Sequence, residues 1–156
     1  MHEQPSPSAL AVHEELLAVC RELRRAEHRA AVLLARMDAD RLHLELGWAS
    51  LLDYAREALQ LTDRQARDLL QIGRSLPRLP ELDRAFAEGR LPWTKARELL
   101  RVVTPETEVA WVQRACEVSS RVLERQVSGA LTGDLPPTHV GDEKDPERVR
   151  LVFQAS

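Results

Sequence analysis

Four polar side chains recur at spacings of three, four and three residues within one short segment: Arg64, Arg67, Gln71 and Arg74. This spacing places them on one stripe of a helix, away from its apolar side. Arginine binds phosphate or guanine in a DNA major groove, and glutamine binds adenine. Gln65 lies at the N-terminal end of the stripe, whereas Pro77 leaves the direction of Arg78 open. The pattern predicts a DNA-recognition surface, and an ordinary solvated helix face is the alternative.

The stripe belongs to the second of two helices predicted on either side of a tight turn. The first helix covers Ser50 to Leu59, the turn is Gln60-Leu61-Thr62, and the second helix runs from Asp63 to Leu76. Thr62 and Gln65 are spaced as a capping box, in which the hydroxyl accepts one amide and the glutamine reaches back to another. Two short helices joined in this way are typical of a helix-turn-helix.

A second basic cluster follows, at the start of a later predicted helix. Its three cations are expected to contact phosphate without specifying sequence: Lys95, Arg97 and Arg101. Trp93 precedes them and could present its indole to a partner. The apolar face formed by Leu99, Leu100 and Val103 favours a core position for this tryptophan instead.

Charge is distributed unevenly along the chain. The net charge is −3, which argues against a protein that simply coats nucleic acid. Between Gln60 and Arg101, nine basic residues against six acidic ones leave +3, so the rest of the chain carries −6. Such a basic centre can bind a polyanion locally. The bias of twenty arginines over two lysines suits phosphate binding, but a GC-rich genome would produce it too.

The sequence contains no arrangement typical of catalysis or metal binding. Five histidines are scattered without a His-x-x-x-His pair, and six glycines form no phosphate-cradling loop. Cys20 and Cys116 lack the clustered ligands of zinc sites, and we expect both to be small core residues. We therefore expect no catalytic residue, no metal and no cofactor in this chain.

The longest predicted element is a helix from about Ala9 to Leu44. Apolar residues recur along it at alternating steps of four and three: Val12, Leu16, Val19, Leu23, Ala26, Ala30, Leu33 and Met37. This heptad seam is typical of a coiled coil or of a long helix packed on its own domain. Ala26 and Ala30 weaken the seam as a dimer interface, and Leu17, Cys20 and Leu34 widen the stripe, which also favours packing within the domain. A homodimer through Val12 to Met37 is the alternative.

The pattern as a whole predicts an all-α, multi-helix domain with a long N-terminal helix and a central helix-turn-helix. Further helices are expected near 81–87, 92–103, 106–117 and 119–130. Four parts are predicted along the chain: a disordered leader at 1–8, the helical domain at 9–131, a linker at 132–147, and a strand-like start of a truncated segment at 148–156. No apolar run is long enough for a membrane span, and no signal peptide is recognisable, so we expect a cytoplasmic protein.

Three stretches resemble the helical N-terminal region of bacterial HNH endonuclease-domain proteins, the group that includes the 13E12-repeat family. They are Gly47 to Ala55, Leu59 to Arg67 and Gly89 to Arg97, and the likeness covers about Leu42 to Ala130. Its most specific part is the Gly-x-Leu-x-x-x-Lys-Ala-Arg run followed by Val103 to Thr107. In that family, the helical region precedes a linker, a strand-containing segment and a metal-binding HNH nuclease. The resemblance implies a targeting or regulatory module, because the HNH motif itself is missing here.

A looser likeness concerns ParB-type partition proteins. The segment from Arg67 to Leu100 is similar to the part of those proteins that follows their recognition helix. That analogy implies that Thr62 to Gln71 faces the DNA groove. Together these observations predict a non-catalytic module that binds double-stranded DNA. A helical protein-interaction or homo-oligomerisation module is the alternative.

Overall fold

The computed structural model describes residues 3–138. Within this range the chain forms eight α-helices, a 3-10 turn at Leu76–Arg78 and no strand, so the predicted all-α fold is confirmed. The helices in chain order are α1 (Pro7–Ala39), α2 (Leu42–Glu45), α3 (Leu51–Glu57), α4 (Asp63–Ser75), α5 (Pro80–Ala87), α6 (Trp93–Leu99), α7 (Glu108–Glu117) and α8 (Ser120–Ser128). The strand predicted over 148–156 lies outside the described residues, as does the linker from residue 139 onward.

The long helix α1 begins and ends at local signals. Ser6 is extended, and its hydroxyl accepts a hydrogen bond from the Ala9 amide at 3.0 Å, so the helix starts at Pro7. Proline suits this first position because it has no amide hydrogen to satisfy. At the other end, Arg41 adopts a left-handed conformation with φ 53°, which separates α1 from α2. The predicted long helix is confirmed, although it ends five residues earlier than predicted.

Two glycines allow α1 to lie unusually close to the rest of the chain. A Cβ on Gly73 of α4 would stand 2.1 Å from the carbonyl oxygen of Ala31, and one on Gly89 would stand 2.6 Å from that of Arg21. Neither distance is compatible with a side chain. From Arg21 onward, α1 therefore packs on α4, α5 and the loop after α5, although each residue from 3 to 23 remains largely exposed.

The core lies between α1 and α4 on one side and α5 to α8 on the other. Trp111 of α7 and Phe86 of α5 are fully buried in it. The buried carboxylate of Glu108 accepts hydrogen bonds from the amides of Glu81 and Leu82, both at 3.1 Å. These are free amides of the first turn of α5, so α7 caps α5 with a negative charge at its positive end.

The segment from 131 to 137 is held against α7. The Gly133 amide donates to the Val102 carbonyl at 2.9 Å, and the Trp111 indole donates to the Asp134 carbonyl at 2.7 Å. The buried guanidinium of Arg114 bonds to the Pro137 carbonyl and, at 2.8 Å, to the Gln126 side chain. The first residues of the predicted linker thus share the polar contacts of the helical body.

Candidate nucleic-acid interface

The turn between α3 and α4 is fixed by backbone geometry. Gln60 adopts a left-handed conformation with φ 58°, and the Leu61 amide donates to the carbonyl of the fully buried Ala55 at 3.1 Å. The Thr62 hydroxyl accepts from the Gln65 amide at 3.1 Å and starts α4. Among the described residues, the Gln65 side chain makes no return bond to the Thr62 amide. The hydroxyl half of the predicted capping box is confirmed, and the glutamine half is wrong; the Gln65 residue is half-buried.

Helix α4 has one buried side and one exposed side. Its buried residues are Ala66, Leu69, Ile72, Gly73 and Ser75. Because the close approach of Gly73 to Ala31 fixes this inner side against α1, the direction of the outer side is fixed as well. Helix α4 is thus held in one orientation, with one polar face in solvent.

The exposed side of α4 carries most of the predicted stripe. Arg64, Arg67 and Gln71 are exposed, whereas Gln65 is half-buried. Arg64 has 75% of its side chain exposed and stands 3.8 Å from the Asp68 carboxylate. Within residues 3–138, no carboxylate oxygen lies within 4.0 Å of Arg67. This cation is free to bind an external anion.

Arg74, the last residue of the stripe, forms an ion pair with Asp38 of α1, although more than half of its side chain is exposed. Asp38 lies 36 residues earlier in the chain, so no local signal could have identified the pair. An exposed ion pair of this kind contributes little to stability and exchanges readily with another anion. When no external anion is bound, Arg74 therefore links α4 to α1.

Arg97 is held in the fold rather than presented to solvent. Its guanidinium donates to the Asp68 carboxylate at 3.2 Å and lies 5.6 Å from the centre of the Trp93 ring. Only 23% of the Arg97 side chain is exposed. Trp93 packs against the core, as its apolar neighbours predict. Arg97 thus connects α6 to α4 by an ion pair and a cation–π contact.

Trp93 is also connected to α1 through its backbone. Its amide donates to the Glu27 carboxylate at 3.1 Å, which satisfies the first free amide of α6. Burial raises the pKa of Glu27 above its ordinary value, although this hydrogen bond and the nearby Arg24 act in the opposite direction. Glu27 is therefore a capping residue supplied from a distant helix.

Lys95 is bonded within the fold as well. Its ammonium donates to the carbonyls of Ala115 and Val118 at 2.7 and 2.6 Å, at the C-terminal end of α7. Burial lowers the pKa of Lys95, while Cys116 acts to raise it and Arg24 to lower it further. A cation at a helix C-terminus satisfies free carbonyls and complements the helix dipole. Contact with phosphate would require this residue to leave both acceptors.

Arg101 occupies an intermediate position. Its guanidinium lies 2.5 Å from the carboxylate of the buried Glu98, yet 55% of its side chain is exposed. The predicted cations therefore differ in environment. Three side chains of the α4 stripe, Arg64, Arg67 and Gln71, are exposed to solvent. Arg74 and Arg101 are exposed but each is paired with a carboxylate, and Lys95 and Arg97 are half-buried and hydrogen-bonded within the fold.

A further basic surface joins α1 to the loop after α5, and sequence inspection did not identify it. A cleft of about 610 Å³ is lined by four arginines: Arg21, Arg24, Arg25 and Arg90. The Arg25 Nε donates to the Glu88 carbonyl at 3.4 Å, and Arg90 stands 3.8 Å from the Glu88 carboxylate. Three of these arginines are close in sequence, but Arg90 joins them only because Gly89 packs against Arg21.

The histidines and cysteines that the structure describes are not grouped as metal ligands. Among residues 3–138, no three His, Cys, Asp or Glu side chains are placed to hold a metal ion. His28 bonds to Asp83 at 2.6 Å. Cys20 and Cys116 are both exposed, so their predicted core positions are wrong. Cys20 lies in the largely exposed N-terminal half of α1, and Cys116 lies in the last turn of α7.

In the part of the chain that the structure describes, no helix combines the length and the apolar character required to cross a membrane. Comparison with known proteins gave no match: no family model fits this chain, and no curated protein or solved structure is similar to it.

Proposed function

We propose that this chain is a non-catalytic DNA-binding module and that the outer face of α4 contacts the major groove. The observation that supports this proposal is the exposure of Arg64, Arg67 and Gln71 on one face of a helix whose opposite face is buried. An α-helix fits the major groove, where arginine pairs with guanine and glutamine with adenine. A tight turn before the helix is typical of this recognition mode.

The remaining predicted residues take different parts in this proposal. Arg74 and Arg101 are exposed and can exchange their carboxylate partners for phosphate. Arg97 supports the interface indirectly, because its bond to Asp68 orders α4. Gln65 and Lys95 are half-buried, so we propose that they stabilise the fold and contribute little to binding.

The resemblance to HNH endonuclease-domain proteins supports a wider proposal. The helical domain would direct a metal-dependent nuclease, carried elsewhere in a longer protein, to its DNA. Nuclease activity is assigned to no residue of the present chain. A helical interaction module is the second candidate function, and the exposed apolar face of α1 favours it.

The test is a fluorescence-anisotropy titration of the chain with random duplex DNA at about 50 and 200 mM salt, a range over which phosphate contacts lose orders of magnitude in affinity. With Arg67 in bidentate contact with guanine, we expect Arg67→Ala to weaken binding by about 1–3 kcal/mol, or roughly five- to 150-fold in Kd. Arg121→Ala is the matched control, since Arg121 is exposed on α8, which packs on α6 and α7. No binding at the lower salt, or equal effects of the two substitutions, would refute the proposal.

A further inference from the structure

The heptad seam of α1 is exposed along most of its length, although the helix packs on the domain. Its five large aliphatic residues are between 45% and 60% exposed: Val12, Leu16, Val19, Leu23 and Leu33. The side of α1 that meets the body is a different one, and its buried residues are Ala31 and Leu34. Packing within the chain therefore accounts for Ala30 and Met37 of the seam, which lie partly buried against the core, but not for these five exposed residues.

Charged residues along one flank of the seam follow a second pattern. They recur every seven residues, and all four are exposed: Glu15, Glu22, Arg29 and Arg36. The N-terminal half of the flank is acidic, and the C-terminal half is basic. This flank faces away from Ala31 and Leu34. Glu22 also lines the cleft beside Arg90, but all four side chains remain exposed to solvent. In coiled coils, flanking charges of this kind determine partner and orientation.

The charge pattern distinguishes the two possible orientations of a second helix. In an antiparallel pair, this flank meets the same flank of the other copy, so that Glu15 lies opposite Arg36 and Glu22 opposite Arg29. All four contacts are then between opposite charges. In a parallel pair, Glu22 instead faces Glu27, whose carboxylate already accepts from the Trp93 amide. The charges therefore favour a second copy of α1 in the antiparallel orientation.

A groove lies at the C-terminal end of the seam. Its volume is about 350 Å³, and its lining is almost entirely apolar: Ala30, Leu33, Leu34, Met37, Leu42, Tyr54, Leu59 and Leu61, with Arg36 at the edge. Three of these residues, Ala30, Leu33 and Met37, belong to the seam itself. The loop between α3 and α4 supplies the opposite wall. A helix lying on the seam would therefore enter this groove.

We infer that two copies of this chain associate through an antiparallel pairing of α1, in which the exposed N-terminal half of each helix occupies the groove of the other. Val12 and Leu16 of one copy lie against Met37 and Leu33 of the second. This register also places the two alanines of the seam opposite larger residues, Ala30 against Val19 and Ala26 against Leu23. Small residues opposite large ones allow the helices to approach closely along the middle of the pair.

The first test is the mass of the full chain in solution, measured by sedimentation equilibrium from micromolar to submillimolar concentration. We expect a dimer that persists at high salt, since apolar burial provides most of the interface and salt screens only the charges. Leu16→Glu should raise the dimer Kd at least ~10-fold, because the seam would bury an unpaired carboxylate.

Leu17→Glu is the matched control. Leu17 is the next residue and is as exposed as Leu16, at 58% each, but it lies off the seam. It should leave the dimer Kd unchanged, and both variants should fold, because neither side chain is buried in the monomer. A wild-type chain that is monomeric throughout, or equal effects of the two substitutions, would overturn the inference.

The relative orientation of the two α1 helices is tested by exchanging the charges of flank residues. Glu22→Arg should weaken an antiparallel dimer because it sets like charges against Arg29, and Glu22→Arg combined with Arg29→Glu should restore it. In a parallel dimer the single substitution would instead strengthen association, by removing the contact between Glu22 and Glu27. Strengthening by the single change, or no rescue by the double change, would exclude the antiparallel register.

Discussion

Arg67 and Arg97 are the same type of side chain in two environments, and the difference gives them different roles. Arg67 is exposed on α4 without a nearby carboxylate among residues 3–138, whereas Arg97 is bonded to Asp68 and covers the Trp93 ring. Removing Arg67 takes away only a surface cation. Removing Arg97 would leave Asp68 with Arg64 alone, at 3.8 Å, and would remove the ion pair that links α6 to α4.

Lys95 provides a prediction at the same scale. Lys95→Ala removes two hydrogen bonds to the carbonyls of Ala115 and Val118 and should lower the free energy of unfolding by about 1–3 kcal/mol. The DNA affinity of the variant, measured under conditions in which the wild-type and Lys95→Ala chains are both folded, should differ from that of the wild type by less than twofold. Chemical denaturation and anisotropy titration give the two values.

Arg67→Ala is the complementary variant for this comparison. It should leave the free energy of unfolding within about 0.5 kcal/mol, as surface substitutions usually do, while it weakens DNA binding. If Lys95→Ala instead reduced affinity without loss of stability, Lys95 would be a phosphate contact, as its sequence position suggested.

At the scale of elements, the contact between α1 and α4 determines where the outer face of α4 points. Gly73 allows the backbone of α1 to approach directly, and the pair between Arg74 and Asp38 lies one residue further along α4. The ion pair is exposed and contributes little, whereas the steric fit at Gly73 cannot relax without moving a helix. Backbone packing, more than charge, positions the candidate recognition helix.

Gly73→Ala tests this element. The new methyl would stand 2.1 Å from the Ala31 carbonyl oxygen, so α1 and α4 must separate, and we expect a loss of about 1–3 kcal/mol in the free energy of unfolding. Urea denaturation followed by circular dichroism measures it. Gly129→Ala is the control, because the nearest atom there is 3.8 Å away and φ is −88°. Equal stability of the two variants would show that the helices do not meet closely at Gly73.

At the scale of the whole molecule, the segment after α8 packs back against the helices. Asp134 and Pro137 accept hydrogen bonds from Trp111 and Arg114, both in α7. The indole and the guanidinium would otherwise be left without these partners. The folded unit therefore extends past the last helix and includes residues that composition alone would assign to a linker.

Truncation measures how much the contacts of this segment stabilise the molecule. A chain that ends after Ala130 should lose about 2–4 kcal/mol of unfolding free energy, since Trp111 and Arg114 each lose an acceptor. A chain that ends after Thr138 keeps both bonds and serves as the control. Equal thermal unfolding of the two truncated chains would mean that residues 131–138 contribute nothing.

The sequence by itself determined the local structure. Ser50, Thr62 and Ser119 cap helices through hydroxyls that accept amides three residues later, and these interactions require no distant partner. Apolar periodicity correctly predicted the all-α class and the long first helix, because each depends on neighbours within a few turns. The stripe of α4 was also predictable, since side chains three and four residues apart share one helix face.

Only the tertiary structure decided which predicted residues are available to a partner. Arg74 is paired across 36 residues, Arg97 across 29, and Lys95 bonds to carbonyls 20 and 23 residues away. It also decided that most of the heptad seam of α1 is exposed beside the body, with Ala30 and Met37 partly buried against the core. Periodicity fixes which side chains share a helix face, but the rotation of the helix on its neighbours depends on close contacts such as Gly73 with Ala31. These contacts join residues far apart in the chain, and no local pattern encodes them.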